Sequence, residues 1–287
     1  MGAFKAAAVQ MRSGTDPKRN AHDMERMVRE AAAKGAVYVQ TPEMTGALVR
    51  DSQARAAAFT TEENDVVVAA ARRLAAELGI FLHIGSTAIL RADGKLANRA
   101  LLFSPRGEVL ATYDKIHMFD VDLDKGESWR ESSAYEPGAE AVVTEVAGAG
   151  LGLAICYDLR FPQLFRAEAL AGAEVLSVPA AFTRQTGEAH WHVLVRARAI
   201  ENGAFVVAAA QGGLHEDGRE TYGHSLIVDP WGRILAEAAH DAPGVIVAEI
   251  DPAQSKAARA KIPNLKNARD FALRQAAAPV SLKGAAS

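Results

Sequence analysis

The stretch Gly150-Leu151-Gly152-Leu153-Ala154-Ile155-Cys156-Tyr157-Asp158-Leu159-Arg160-Phe161-Pro162 decides how this chain is read. An apolar, strand-like run ends on a thiol, and helical text follows from about Pro162, a residue suited to the first turn of a helix. That layout sets Cys156 at the carboxyl edge of a sheet, beside a helix start whose dipole favours the thiolate. Cys156 is the only cysteine in 287 residues, so no intramolecular disulfide is possible. One thiol is also too few for a zinc site. A lone cysteine is more often a small core residue. The passages around it reverse that reading.

Working outward from Cys156, strand-like and helix-like stretches alternate almost throughout. Strands are expected at 4–11, 36–40, 81–86, 99–104, 109–113, 142–146, 151–155, 175–179, 205–210, 225–228, 234–238 and 245–250. Helices are expected after Asp16-Pro17, at 61–78, 163–171 and 188–202, and near 252–261. Polar loops at 119–137 and 211–223 are long enough to carry function. Mixed strands and helices predict a layered α/β fold with helices on the outer faces. No linker composition interrupts 1–287, which reads as a single domain with an extended or frayed tail at 270–287.

Bulk composition excludes several classes. Hydrophobic residues make up 49% and charged residues 23%, with a net charge of −3, so no basic face invites nucleic acid. No apolar run is long enough to span a bilayer, and no signal-peptide core follows Met1. Low cysteine usage suits a reducing cytoplasm. Gly148-x-Gly150-x-Gly152 lacks dinucleotide-loop spacing and leads into a strand, so no cofactor is expected there. His190 and His192 lie two apart on helical text and do not share a face, and no HExxH occurs, so no metal is expected.

Three passages place a reactive group just after a strand: Thr41-Pro42-Glu43, Tyr113-Asp114-Lys115 and Ile155-Cys156-Tyr157. Strand ends of an α/β sheet converge on one crevice, so a carboxylate, an ammonium and a thiol could meet there. Together they suffice for acyl transfer. Glu43 would take the thiol proton, and Lys115 with the Tyr157 backbone N–H would hold the oxyanion. Singly, Glu43 is as easily a loop carboxylate and Lys115 a surface charge paired with Asp114.

These passages resemble the Glu-Lys-Cys signature of the nitrilase superfamily of carbon–nitrogen hydrolases, and specifically its Nit branch. Lys115-Ile116-His117-Met118-Phe119-Asp120 and Cys156-Tyr157-Asp158-Leu159-Arg160-Phe161-Pro162 carry the likeness. Ala189-His190-Trp191, Arg196-Ala197-Arg198-Ala199-Ile200-Glu201, Tyr222-Gly223-His224-Ser225 and Asp229-Pro230-Trp231-Gly232 extend it in family order. Gln163 departs from it, since many relatives have Glu there.

The resemblance implies a four-layer α-β-β-α sandwich and hydrolysis of a small-molecule amide through a cysteine thioester, giving an acid and ammonia. It implies no metal or organic cofactor, and a homo-oligomer. It also implies a second glutamate near the lysine, best matched by Glu131, with Glu127 the runner-up. Tyr157, Arg184 and His190 are the candidates for substrate binding, Arg184 as partner of a substrate carboxylate. Ala197 to Glu201 and Val228 to Trp231 resemble deaminated glutathione amidases more than ω-amidases acting on 2-oxo acid amides. Carbamoyl hydrolysis and nitrilase chemistry stay open on the same triad. A non-catalytic interaction module stays open as another class.

Overall fold

Side chains alternate along β1 (Phe4–Gln10) between two different cores. Ala6 and Ala8 enter one, Ala7 and Val9 the other, as the two-residue period of a strand requires. The computed structural model describes residues 2–124 and 128–275. After β1 come α1 (Pro17–Ala33), β2 (Tyr38–Gln40), α2 (Ser52–Ala58), α3 (Val66–Leu78), β3 (Phe81–Leu90), β4 (Leu96–Phe103) and β5 (Val109–Asp114). A short ribbon of β6 (Asp120–Asp122) and β7 (Ser128–Arg130) leads to β8 (Val142–Val146), β9 (Ala149–Leu153), α4 (Pro162–Leu170), β10 (Val175–Ser177), α5 (Arg184–Asn202) and β11 (Phe205–Ala208). A second ribbon of β12 (Gly212–Leu214) and β13 (Glu220–Tyr222) precedes β14 (Leu226–Val228), β15 (Ile234–Glu237), β16 (Gly244–Ile250) and α6 (Pro252–Lys261).

Two six-stranded sheets result, in the orders β16-β1-β2-β3-β4-β5 and β15-β14-β11-β10-β9-β8. One face of the first sheet buries Val9, Leu101 and Phe103 against Met24 and Val28 of α1 and Leu74 of α3. Its other face buries Tyr38, Ala100, Leu102 and Tyr113 in a core shared with Leu151, Leu153 and Val207 of the second sheet. That core continues to Phe165 of α4 and to Trp191 and Val195 of α5. The layers are therefore α-β-β-α. Each fully buried Leu, Val or Phe contributes roughly 1.5–3 kcal/mol, so the inter-sheet layer is the main source of rigidity beneath the strand ends.

Several boundaries differ from the sequence expectation. Helix α3 starts at Val66, because Asp65 accepts from the N–H groups of Val67 and Val68, while 62–64 form only a 3₁₀ turn. Helix α5 begins at Arg184, four residues before 188, with Thr183 as its N-cap. Strand β3 runs on to Leu90 through a bulge at Gly85, which no other residue could occupy. A Cβ there would lie 2.1 Å from the Thr41 carbonyl and 2.4 Å from Pro179. The glycine run at 148–152 is explained by packing. Ala147 and Gly148, both at positive φ, turn the β8–β9 hairpin, and a Cβ on Gly152 would strike Glu168. Residues 270–275 are exposed and irregular; 276–287 of the expected tail lie outside the described residues.

Candidate active site

Glu43 follows β2, Lys115 follows β5 and Cys156 follows β9, and all three are buried at one end of the paired sheets. Lys115 Nζ donates to Glu43 Oε1 at 2.9 Å and to Glu131 at 3.0 Å (Oε1) and 2.8 Å (Oε2). Asn98 Nδ2, from β4, donates to Oε1 of both carboxylates, at 2.9 Å to Glu43 and 3.0 Å to Glu131. The Ala181 N–H binds Glu43 Oε2 at 2.9 Å, and the Phe119 N–H binds Glu131 Oε2 at 2.7 Å. Lys115 and Asn98 thus bridge the two Oε1 atoms, while each Oε2 has a backbone donor of its own. The Cys156 thiol and the Glu43 carboxylate lie close enough to shift each other's proton affinity.

Cys156 opens a 3₁₀ turn, Cys156–Arg160, with φ of +50°, a conformation that costs a non-glycine residue roughly 1–2 kcal/mol. The turn is pinned from both sides. Cys156 N–H donates to the Pro179 carbonyl at 2.9 Å. Buried Asp158 accepts from the Ile155 N–H (2.9 Å), the Tyr113 hydroxyl (2.7 Å) and the His117 N–H (3.1 Å), and it meets His117 Nδ1 at 2.6 Å. The Tyr157 N–H lies in the first turn, where intrahelical bonding leaves donors free.

Charge states follow from these contacts. Burial works against the Glu43 carboxylate, but Lys115, the thiol and Asn98 outweigh it and hold the group below the usual carboxylate range. Burial also opposes the Lys115 ammonium, yet Glu131 and Glu43 overcome it and raise it well above the ordinary lysine value. The Cys156 thiol moves the other way from the expectation of a dipole-stabilised thiolate. Burial, reinforced by Glu43, pushes it well above the usual thiol range, and Lys115 offsets this only in part. The resting set is thiol, carboxylate and ammonium.

A cavity of about 310 Å³ opens on this set. Glu43, Lys115, Glu131, Cys156 and Tyr157 line it. Arg184 and His190 do not. Arg184 is half-exposed and already engaged by Glu188 and Glu220, and His190 reaches only as far as Arg160, at 3.3 Å. Glu127 falls outside the described residues. Residues that sequence reasoning passed over are Asn98, Asp158, the Ala181 N–H and a set of arginines on the cavity wall: Arg50, Arg55, Arg130, Arg160 and Arg219. Asn98 was detectable, since it shares a face with inward-pointing Ala100 and Leu102.

Comparison with known proteins agrees with this chemistry. The carbon-nitrogen hydrolase family model matches residues 5–260. The deaminated glutathione amidase of Synechocystis sp. is 40% identical over 273 residues, spanning 93% of this chain and 98% of that protein. The crystal structure of the C. elegans NitFhit protein superposes with a TM-score of 0.87 at 33% identity, covering 94% of this chain and 66% of that one. A mutant amidase from Nesterenkonia sp. AN1 carries the acetamide moiety of fluoroacetamide covalently on its active-site cysteine; it matches at a TM-score of 0.77 and 28% identity, over 93% of this chain and 94% of that one. With a buried cysteine, two carboxylates and a lysine gathered at the same strand ends, the chain belongs to the carbon-nitrogen hydrolase family, Nit branch, and is a cysteine-dependent amidase.

Proposed function

We propose that the protein hydrolyses a small amide bearing one or more carboxylates, of the kind named in its relatives as deaminated glutathione. The carrying observation is the cavity wall. Arg50, Arg55 and Arg160 line it, and none has a carboxylate partner among the described residues. Arg50 and Arg219 lie against the Trp129 ring, at 4.6 and 4.3 Å from its centroid, which presents two guanidinium groups at fixed positions. Guanidinium groups lining a pocket favour planar anions, carboxylates above all. Names of relatives at about 40% identity point to the same class.

In this reading Glu43 takes the Cys156 proton as Sγ attacks the amide carbon. Lys115 Nζ and the Tyr157 N–H stabilise the tetrahedral oxyanion. Glu43 then passes the proton to the leaving nitrogen as the C–N bond breaks, releasing ammonia or an amine and leaving the thioester. Water, deprotonated by Glu43, hydrolyses the thioester and returns the thiol. Glu131 and Asn98 act through Lys115 and Glu43 as positioning residues.

The chain is read as one domain acting in a reducing cytoplasm, where its only cysteine stays a thiol. Exposed Val193 and Ile200 of α5, with Trp231, Ile234 and Leu235, support a homo-oligomer. Among the described residues no helix is long and apolar enough to cross a membrane.

The deciding experiment measures kcat/KM for wild type and Cys156→Ala on deaminated glutathione, 2-oxoglutaramate, uncharged amides, N-carbamoyl amino acids and nitriles. The acid product is followed as well as ammonia. Cysteine-dependent preference for deaminated glutathione, with KM raised about tenfold in Arg160→Ala, supports the proposal. Faster turnover of 2-oxoglutaramate would move the assignment to ω-amidase, and equal turnover of uncharged amides would overturn the role of the arginines.

A further inference from the structure

Away from the active-site cavity, three side chains from separate elements converge on one point. His192 lies on α5, His224 in the loop between β13 and β14, and Glu237 at the end of β15. His192 Nε2 is 2.9 Å from Glu237 Oε1, and His224 Nδ1 is 3.2 Å from the same oxygen. All three donor atoms fall within 4.8 Å of one another, and each residue is only partly buried. We propose that His192, His224 and Glu237 form a binding site for a divalent transition metal of the zinc class.

The donor set fits that chemistry. Two imidazoles and one carboxylate suit Zn²⁺, Co²⁺ or Ni²⁺, and four-coordinate zinc with bonds of about 2.0–2.1 Å has ligand–ligand separations of roughly 3.3 Å. Two of the three separations already lie near that value. An ordinary hydrogen-bonded cluster would more naturally spread two imidazoles over both carboxylate oxygens. Here both ring nitrogens aim at Oε1, and among the described residues no hydrogen bond reaches Oε2.

The ring positions are set from outside the cluster. His224 has a left-handed backbone (φ +53°), its carbonyl is held by Trp191 Nε1 at 2.7 Å, and its ring stacks on Tyr222 at 4.3 Å between centroids. Trp191 and His192 are neighbours on α5, so the same helical turn fixes two of the donors. The residues are scattered through the sequence, which is why no local motif announced them.

A metal here would clamp α5 to β15 and to the end of β13. The Tyr222 N–H of β13 donates to the carbonyl of Phe182, which lines the active-site cavity. The inference does not depend on the substrate assignment. Its test uses the intact chain, first dialysed against a chelator and then titrated with ZnCl₂ or CoCl₂ in a calorimeter. The cobalt form is also read by visible absorption.

The expected result is one equivalent per chain in wild type and in Cys156→Ala, which excludes the active-site thiol as a ligand. A rise of roughly 5 °C in melting temperature at saturating zinc should accompany it. His192→Ala and Glu237→Gln should each weaken binding at least tenfold and abolish the thermal shift, while folding as judged by circular dichroism without metal. Absence of stoichiometric binding to wild type, or undiminished binding in both variants, would overturn the site.

Discussion

The Tyr113 hydroxyl donates to the Asp158 carboxylate at 2.7 Å, joining β5, which leads into Lys115, to the turn that carries Cys156. The bond crosses from one sheet to the other. It therefore fixes the ammonium-bearing loop relative to the sulfur through groups that never touch substrate. Tyr113→Phe removes only this donor and should cost about 1 kcal/mol of stability. Asp158→Ala orphans the Ile155 N–H, both His117 contacts and the tyrosine, and should cost about 3 kcal/mol. If the bond positions the site, Tyr113→Phe lowers kcat several-fold with KM nearly unchanged. Denaturant unfolding alongside kinetics separates the cases, because a loss of stability with unaltered kcat would leave the bond a purely structural one.

Strain at Cys156 gives a second prediction. At φ +50° the backbone of Cys156 favours glycine, and the Cβ adds cost without being needed for the fold. Cys156→Gly and Cys156→Ala should both lose turnover by about 10³-fold or more. Cys156→Gly should nevertheless be about 1 kcal/mol more stable than Cys156→Ala in denaturant unfolding. Retention of substantial turnover in Cys156→Ala would remove the thiol from the proposed chemistry.

Much of this site was legible because its residues follow strand ends, where a two-residue period stops and chemistry-bearing residues cluster. Glu43, Lys115 and Cys156 are such residues, and the likeness to a known family supplied Glu131. Asn98 sits in mid-strand, where parity shows that its amide points inward but not that it meets two carboxylates. Ribbons β6–β7 and β12–β13 were missed because they are short and lie within polar loop text, whereas the equally short β2, β10 and β14 are apolar and were read. Arg184 was overread. Sequence cannot tell an arginine satisfied by nearby glutamates from one left facing a cavity, as Arg50 and Arg55 are.

The Asn98 bridge invites its own test. Its amide donates to Glu43 and Glu131 together, so it offsets repulsion between two carboxylates that also share one lysine. Asn98→Asp places a third acid in the cluster. Like charges this close cannot all ionise, so one proton should be retained and the base role proposed for Glu43 is impaired. Asn98→Asp should lower kcat by about 10²-fold at pH 7, whereas Asn98→Ser, which keeps a donor, should fall less. Equal activity in the two variants would show that the bridge has no electrostatic role.

The pH dependence follows from the directions of the shifts. Glu43 is held below the ordinary carboxylate range, so its contribution to stability is present above its unfolded value, about 4.3, and is lost as pH falls through the lower folded one. Cys156 is raised, so its contribution is complete below the unfolded thiol value, about 8.5. It declines as pH climbs from there toward the folded one, because the unfolded chain ionises first. Stability from this pair should therefore be level between roughly pH 5 and 8. Cys156→Ala should remove the alkaline decline and leave the acid one.

Activity should parallel this plateau if the proposed reacting pair is a protonated thiol beside a charged carboxylate. The acid limb of kcat/KM should lie below the usual carboxylate range, and no rise should occur near pH 8.5. Such a rise would mean that solvent, not Glu43, removes the thiol proton, and that the buried carboxylate only orients the lysine.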